Sequence, residues 1–149
     1  MNYIKALLDL ICKSYGLTTE TADIIIFGVG QNGKSLLERF NRSGIDILCF
    51  CDNNSEHYSK EIMGKRCIPF DELCEFHKHS IIFVSPIDSN SIRIQLNENG
   101  FENVVDENIN KILNVLPSIS DKSAFSNFFN IGHFYYLNKI RLCLKLLLM

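Results

Sequence analysis

Residues 24–33 read Ile-Ile-Ile-Phe-Gly-Val-Gly-Gln-Asn-Gly, so that a short apolar run passes directly into a glycine-rich turn. A continuous run of β-branched and aromatic residues is typical of a strand that is covered on both faces. After the turn, Leu36, Leu37 and Phe40 recur at helical spacing. The sequence therefore predicts a strand over 23–27, a tight turn and a helix over 32–43.

Outward from this stretch, strand-like and helix-like patterns alternate. An amphipathic helix is expected over 3–15, before the first strand. Further short apolar runs predict strands at 45–51, 67–69, 80–85 and 103–106. Alternation of this kind implies parallel strands joined by right-handed helical crossovers. We therefore predict a Rossmann-like, three-layer α/β/α fold with a mostly parallel sheet of about five strands.

The two later helices carry recognisable start and stop signals. Asp71 is expected to cap a helix over 72–77 that turns Leu73 and Phe76 inward. Ser89 or Ser91 is expected to cap the next helix, which should end at Gly100. Pro69 places the strand at 67–69 at an edge of the sheet, because proline cannot donate to a central ladder.

The chain divides into three segments on this pattern. Residues 1–22 form an N-terminal helix and linker, residues 23–107 the Rossmann-like nucleotide-binding domain, and residues 108–149 a helical C-terminal tail. From Phe134 the tail is rich in leucine, with interspersed cationic residues. Since these do not form a broad basic face, core packing or a homo-oligomer contact is favoured over a membrane anchor.

Composition excludes several functional classes. A net charge of −2 with scattered basic residues gives no reason to expect nucleic-acid binding. No segment approaches the roughly 20 apolar residues that span a bilayer, and no signal peptide is recognised, so a cytoplasmic location is expected. Six cysteines lack metal-ligand spacing and are expected to be reduced, buried thiols, with no metal.

The glycine-rich turn carries the strongest chemical signal. Gly28 permits the tight turn, Gly30 lets the backbone approach a phosphate, and Gly33 lets the helix pack close to the strand. Backbone amides at the helix start, including those of Gln31 and Asn32, favour an anion through the helix dipole. The motif therefore predicts a nucleotide-like phosphate site, although a ligand-free βα turn has the same pattern.

Three further residues lie where the edge of the sheet could extend this site. Asp52 ends the second predicted strand, 19 residues after Gly33, where dinucleotide folds place an acid on the ribose diol. An acid there favours NAD over NADP, whereas a simple turn through Asp52 and Asn53 is the alternative. Ser85 ends the fourth strand and could bond a phosphate or sugar hydroxyl, or cap the next helix.

The same turn also fits a second phosphate-binding pattern. Gly28 and Gly33 are followed by Lys34 and Ser35 at the spacing of a P-loop, in which the lysine reaches phosphates and the serine holds magnesium. Asp52 could then support the metal. We rank this reading lower, because one turn cannot serve both patterns.

No convincing catalytic constellation emerges. Tyr135 and Lys139 have the spacing of the short-chain dehydrogenase pair, but they lie in the tail beyond the last predicted strand. None of the four histidines has an acid partner at motif spacing, and no nucleophile elbow is present.

The motifs also follow one another in the order of a known module. The chain resembles the Rossmann-like N-terminal module of bacterial surface-polysaccharide enzymes. The resemblance rests on the glycine turn, on Asp52-Asn53-Asn54, on the segment around Gly64 and Pro69, and on residues 81–85 and 100–106. This module is fused to FkbM-type methyltransferases, to sugar acyltransferases of the sialic-acid and bacillosamine type, and to nucleotide-sugar dehydratases. The resemblance covers about residues 23–107 and implies a nucleotide-sugar at the glycine turn and Asp52.

The relatives owe catalysis to a following domain, either a hexapeptide β-helix or a methyltransferase sheet, that this sequence lacks. The leading hypothesis is thus a module that binds a nucleotide or nucleotide-sugar for surface-glycan biosynthesis without catalysis of its own. The alternatives are a small NAD-dependent oxidoreductase or epimerase, a P-loop ATP or GTP binder, and a non-catalytic interaction protein or remnant of a transferase.

Overall fold

The computed structural model describes residues 3–105, and the predictions for the C-terminal tail lie outside this range. Five strands and four α-helices alternate along the described chain, and a single 3-10 turn, Ser55–His57, follows the second strand. The elements in chain order are α1 (Tyr3–Ser14), β1 (Ile24–Phe27), α2 (Gln31–Arg42), β2 (Cys49–Cys51), β3 (Cys67–Ile68), α3 (Phe70–Phe76), β4 (Ile81–Val84), α4 (Asn90–Glu98) and β5 (Val104–Val105).

The five strands form one parallel sheet in the order β3-β2-β1-β4-β5. β1 lies at the centre, and every residue of β1 and β4 is buried, as the continuous apolar runs predict. The predicted α/β fold with a parallel five-stranded sheet is therefore confirmed for residues 3–105. The predicted edge position of the strand before Pro69 is confirmed as well, because β3 pairs with β2 alone among the strands of residues 3–105.

β2 is shorter than its apolar run predicts. The strand covers only Cys49–Cys51, although the prediction began at residue 45. Its first paired residue, Cys49, lies opposite Ile25, near the start of β1. Ile45 and Ile47 are nevertheless buried in the core. The earlier apolar residues therefore serve packing, because β1 offers no strand residues for them to pair with.

Two layers of helices cover the sheet. One apolar cluster joins α1 and α2 to one face, and a second cluster joins α3 and α4 to the other. α1 is part of this domain, since Leu7, Leu8 and Ile11 are fully buried against the strands. The Tyr15 hydroxyl also donates to the Val104 carbonyl at 3.1 Å. The segment predicted as a helix and linker therefore completes one layer.

α3 differs from its prediction in two ways. It begins at Phe70, so Asp71 lies inside the first turn and gives no cap, while Pro69 occupies the N-cap position. Leu73 is buried as predicted, but Phe76 is 67% exposed rather than inward. The buried stripe of α3 runs through Phe70, Leu73 and Cys74. At 3.6 residues per turn, Phe76 lies roughly 110° from the centre of that stripe.

α4 begins and ends close to the predicted signals. Ser89 occupies its N-cap position, although no side-chain cap hydrogen bond is formed there. The helix ends at Glu98, and Gly100 follows with a φ of +80°, as the predicted glycine stop requires. Within the described residues, no helix is long and apolar enough to cross a membrane.

The strand order places a topological switch point at β1. β1 pairs with β2 on one side and β4 on the other, and the helices that follow β1 and β4 cover opposite faces. The chain order therefore reverses at β1. In open α/β sheets, the crevice for a ligand lies at this point, outside the carboxyl ends of the strands. The glycine-rich turn that follows β1 stands at that crevice.

Candidate functional site

Gly28 forms the bend between β1 and the turn. Its φ is +106°, a conformation that side chains disfavour. Its N–H donates to the Cys51 carbonyl at 2.8 Å, which ties the turn to the end of β2. A Cβ at this position would lie 2.6 Å from the Ser85 hydroxyl oxygen and 2.8 Å from a ring carbon of Pro86. Only glycine fits here.

Gly33 brings α2 against the turn. A Cβ on Gly33 would lie only 2.0 Å from the carbonyl oxygen of Gly28. Because that atom belongs to the backbone, it cannot move aside as a flexible side chain would. The two outer glycines of the motif therefore have structural roles, and they hold the start of α2 close to the end of β1.

Gly30 differs from both of them. Among residues 3–105, no atom beyond Gly30 itself and its two chain neighbours lies within 4 Å of the position that its Cβ would take. It occupies the N-cap position of α2 with extended backbone and a φ of −67°, so no steric strain requires glycine. The sequence predicts that this position faces a phosphate, and the structure places open space directly above it.

The start of α2 presents unused amides beside Gly30. The first helical hydrogen bond joins the Lys34 N–H to the Gly30 carbonyl at 3.1 Å. The amides of Gln31 and Asn32 precede it, and the N-cap residue Gly30 has no side chain that could cap them. Unsatisfied amides and the helix dipole together favour an anion at such an end.

Asp52 lies at the end of β2 and is bonded to the turn. Its Oδ2 accepts from the Val29 N–H at 2.9 Å, and its Oδ1 accepts from the Asn54 N–H at 2.8 Å. The carboxyl group is half-buried. Each carboxylate oxygen has two lone-pair sites, so both oxygens keep capacity for a further donor such as a hydroxyl. The structure thus brings the predicted acid to the predicted phosphate turn.

The Asp52 backbone is fixed as well as its side chain. The Tyr58 hydroxyl, from just beyond the 3-10 turn, donates to the Asp52 carbonyl at 2.7 Å. The Asp52 N–H donates to the Ile68 carbonyl of β3 at 3.3 Å. The acid is therefore held from three directions, by the glycine turn, by Tyr58 and by the neighbouring strand.

Ser85 lies beneath the turn rather than on its open side. Its side chain is buried, and its hydroxyl lies 3.0 Å from the Phe27 carbonyl and 3.1 Å from the Gly28 carbonyl, to which it can donate. It does not cap α4, whose N-cap position is Ser89. In this structure the Ser85 hydroxyl is engaged by these carbonyls and supports the turn, and a bond from Ser85 to a ligand stays a prediction.

Asn53 makes a contact that the sequence does not predict. Its Nδ2 donates to Gln95 Oε1 at 2.9 Å, and Gln95 Nε2 donates to Asn53 Oδ1 at 3.2 Å. Gln95 lies in α4, so this amide pair joins the loop after β2 to the helix after β4. Asn53 is thus more than a turn residue, because it bonds across the crevice.

The five described cysteines are free thiols. Cys74 is half-buried, and the other four are buried: Cys12, Cys49, Cys51 and Cys67. Burial raises the pKa of the Cys12 and Cys49 thiols to about 11 and that of Cys67 to about 12. Since the thiolate is the nucleophile and metal ligand, these thiols act as apolar core groups. In residues 3–105, no group of three or more His, Cys, Asp or Glu residues is placed to hold a metal ion.

Sequence reasoning missed several residues that shape the site. Val29 and Asn54 contribute backbone amides, which any residue carries, so no sequence signal marks them. Tyr58 bonds to Asp52 six residues before it and Gln95 to Asn53 42 residues before it, and neither spacing is a known signal of such a contact. The predicted site residues 28–33, Asp52 and Asn53 do come together at one edge of the sheet.

Comparison with known proteins identifies the family of the chain. No curated protein matches the chain. Residues 20–105 match the family described as C2185-like, N-terminal, which is more than half of the 149 residues. The match contains all five strands and the glycine turn. The chain therefore belongs to the C2185-like N-terminal family.

Proposed function

We propose that this protein is a Rossmann-like module that binds a nucleotide or nucleotide-sugar at the glycine turn. The observation that carries the proposal is the open space above Gly30, at an uncapped helix start, beside an acid that is bonded to Val29. An anion site and a hydroxyl acceptor therefore stand next to each other. Phosphate and ribose are adjacent in every nucleotide.

The phosphate part of the proposal rests on α2. The helix has 12 residues, and it contains no acidic residue in its first turn that would repel an anion. Lys34 adds a cationic, exposed side chain in that turn. Backbone amides, the helix dipole and this lysine together favour a pyrophosphate over a neutral ligand.

The ribose part rests on Asp52. Its two oxygens already accept backbone amides, which orients the carboxylate and leaves lone pairs for a diol. A second negative charge, such as a ribose 2′-phosphate, would be repelled there. NAD and a nucleotide-sugar share this ribose and pyrophosphate chemistry, and NADP is disfavoured.

The P-loop alternative receives less support. α2 begins at Gln31, so only Gly28, Val29 and Gly30 lie between β1 and the helix. A phosphate cradle of the P-loop type needs the residues before its lysine to wrap around the phosphates as a loop. Here the residues just before Lys34 are already helical.

The proposed biological role follows from the resemblance to modules of surface-polysaccharide enzymes. We infer that the module serves bacterial surface-glycan biosynthesis and presents a nucleotide-sugar without converting it. The binding of Asp52 and Ser85 to backbone groups supports this inference, since neither is arranged as a general base or nucleophile. A small NAD-dependent oxidoreductase or epimerase remains the alternative that turnover assays separate.

A ligand screen by thermal unfolding tests the proposal. The panel contains NAD, NADP, S-adenosylmethionine, magnesium-ATP, UDP and UDP- or CDP-linked sugars. A ligand at about 100 times its dissociation constant stabilises the fold by roughly 2.7 kcal/mol, which raises the melting temperature by several degrees. We expect such a shift with NAD or a nucleotide-sugar and none specific to magnesium-ATP.

The matched variants are Gly30→Glu, which fills the open space with a negative charge, and Asn41→Glu, which adds the same charge near the far end of α2. We expect the ligand shift to disappear in the first and persist in the second. If the folded wild-type protein shifts with no nucleotide, the binding proposal is wrong and an interaction protein is the better account.

A further inference from the structure

The Asn53–Gln95 amide pair, defined by its two reciprocal hydrogen bonds, spans the crevice above β1. Asn53 directly follows Asp52 at the end of β2, and Gln95 lies in α4, which follows β4. β2 and β4 flank β1 on opposite sides. The pair therefore joins the two walls of the crevice on the face that carries α4.

The contacts of Asp52 give the proposed ligand a direction. Its Oδ2 is bonded to Val29, next to Gly30, whereas its Oδ1 is bonded to Asn54, on the far side. A nucleotide has the fixed order phosphate, ribose, base. With phosphate at Gly30 and ribose at Asp52, the base extends past Asp52 toward Asn53 and its partner Gln95.

Both side chains of the pair have hydrogen-bonding edges suited to a base. An amide presents a donor beside an acceptor, the same arrangement that the edges of nucleobases present. The pair is solvent-exposed, so breaking its two hydrogen bonds costs little when equivalent bonds replace them. Each amide holds the other in place until a ligand arrives.

We propose that Asn53 and Gln95 form the base-recognition element of the site, exchanging their mutual hydrogen bonds for bonds to the ligand's base. This inference rests on the proposed nucleotide function and deepens it. It requires that an intact nucleotide bind more tightly than the same sugar phosphate without a base. It also requires that this higher affinity for the intact nucleotide depend on the two side-chain amides and not on the glycine turn.

Calorimetric titration of the full chain with UMP, AMP and ribose 5-phosphate, which is the same sugar phosphate without a base, tests this inference. The variants are Gln95→Leu, which keeps the approximate side-chain size but removes the amide, and Asn53→Ser, which shortens the opposite partner. Asn97→Leu, at an exposed position of the same helix, is the control. Loss of about one hydrogen bond to the base corresponds to roughly a tenfold loss of affinity.

We expect Gln95→Leu and Asn53→Ser each to weaken the tighter-binding nucleotide about tenfold, with ribose 5-phosphate unchanged within twofold and Asn97→Leu like wild type. Equal losses for both ligands, no loss, or tighter nucleotide binding would overturn the inference. If binding is lost in Gly30→Glu but unaffected in Gln95→Leu, this inference alone fails. If wild type binds none of the three ligands, it fails together with the proposed function.

Discussion

The carbonyl oxygen of Gly28 lies 2.0 Å from the place where a Cβ on Gly33 would stand. The first turn of α2 is therefore in direct contact with the backbone that leaves β1. This contact separates the three glycines of the motif by role. Gly28 and Gly33 allow the close approach, whereas Gly30 has no other described residue beyond its chain neighbours within 4 Å of its missing Cβ.

Alanine substitutions should distinguish these roles. Gly33→Ala forces the helix start away from Gly28, and we expect a loss of about 2 to 3 kcal/mol in the free energy of unfolding. Gly30→Ala should change that energy by less than about 1 kcal/mol, because an N-cap position tolerates alanine at modest cost. Urea unfolding of both variants measures the difference. Equal destabilisation would contradict the structural division.

Ser85 is expected to stabilise the turn from below. In Ser85→Ala, the Phe27 and Gly28 carbonyls lose the hydroxyl that lies 3.0 and 3.1 Å from them, which should cost about 1 kcal/mol. Ser91→Ala, at an exposed position of α4, is the matched control and should be near neutral. Chemical denaturation supplies the stabilities. A stable Ser85→Ala variant that fails to bind nucleotides would instead point to a direct ligand contact.

Asp52→Asn should weaken both the fold and ribose binding. An asparagine has one acceptor oxygen, so it cannot accept from both Val29 and Asn54, and its NH2 group would face one of these donors. We expect a loss of about 1 to 3 kcal/mol in unfolding free energy.

Calorimetry should also show weaker binding of NAD or nucleotide-sugars to Asp52→Asn, with inorganic pyrophosphate little affected. Asp71→Asn, an exposed substitution in α3, serves as the control for charge removal. Loss of pyrophosphate binding to the same extent as nucleotide binding would argue against a ribose role.

Because of its buried thiols, the folded protein is expected to lose stability at alkaline pH. Burial raises the pKa of Cys12 and Cys49 from 9.0 to about 11, so these thiols stay protonated in the folded chain while the unfolded chain ionises. Stability is therefore complete below pH 9 and falls as the pH rises from 9 to 11.

Unfolding by urea at pH 8, 9, 10 and 10.5 measures this dependence. Cys49→Ala should make the decline of the unfolding free energy with pH shallower. Cys74→Ala, at a half-buried position, is the variant for comparison. Rapid modification of Cys12 or Cys49 in the native protein at pH 8 would show that these thiols are not buried as described.

Much of the fold could be predicted because local signals and tertiary structure agree. The apolar runs at β1 and β4 are long enough to be fully buried, and the glycine turn has the strand and helix on either side that give it meaning. β2 is shorter than predicted because Ile45 and Ile47 pack in the core before the strand begins at Cys49. The predicted inward position of Phe76 is wrong, because the buried stripe of α3 can be identified only when the helix is known to begin at Phe70.

The candidate site was predictable where it depends on backbone conformation or on the end of a strand. The glycines and Asp52 are of this kind. The contacts of Ser85 with the Phe27 and Gly28 carbonyls could not be predicted, because a position at a strand end does not tell on which side of a turn a hydroxyl lies. The bond between Asn53 and Gln95 crosses 42 residues of sequence, and no spacing rule relates two amides on different elements.

Residue-resolved ¹⁵N–¹H NMR spectra during titration with NAD and a UDP-linked sugar are the sharpest test of a nucleotide site at the glycine turn. We expect one of these ligands to shift the amide signals of Gly30, Gln31 and Asn32 together with that of Asn53. Signals of Thr21 and Lys78, before β1 and β4 at the opposite edge of the sheet, should stay in place. Saturating ligand without shifts at the turn, or with shifts concentrated at the opposite edge, would contradict a nucleotide site at the glycine turn.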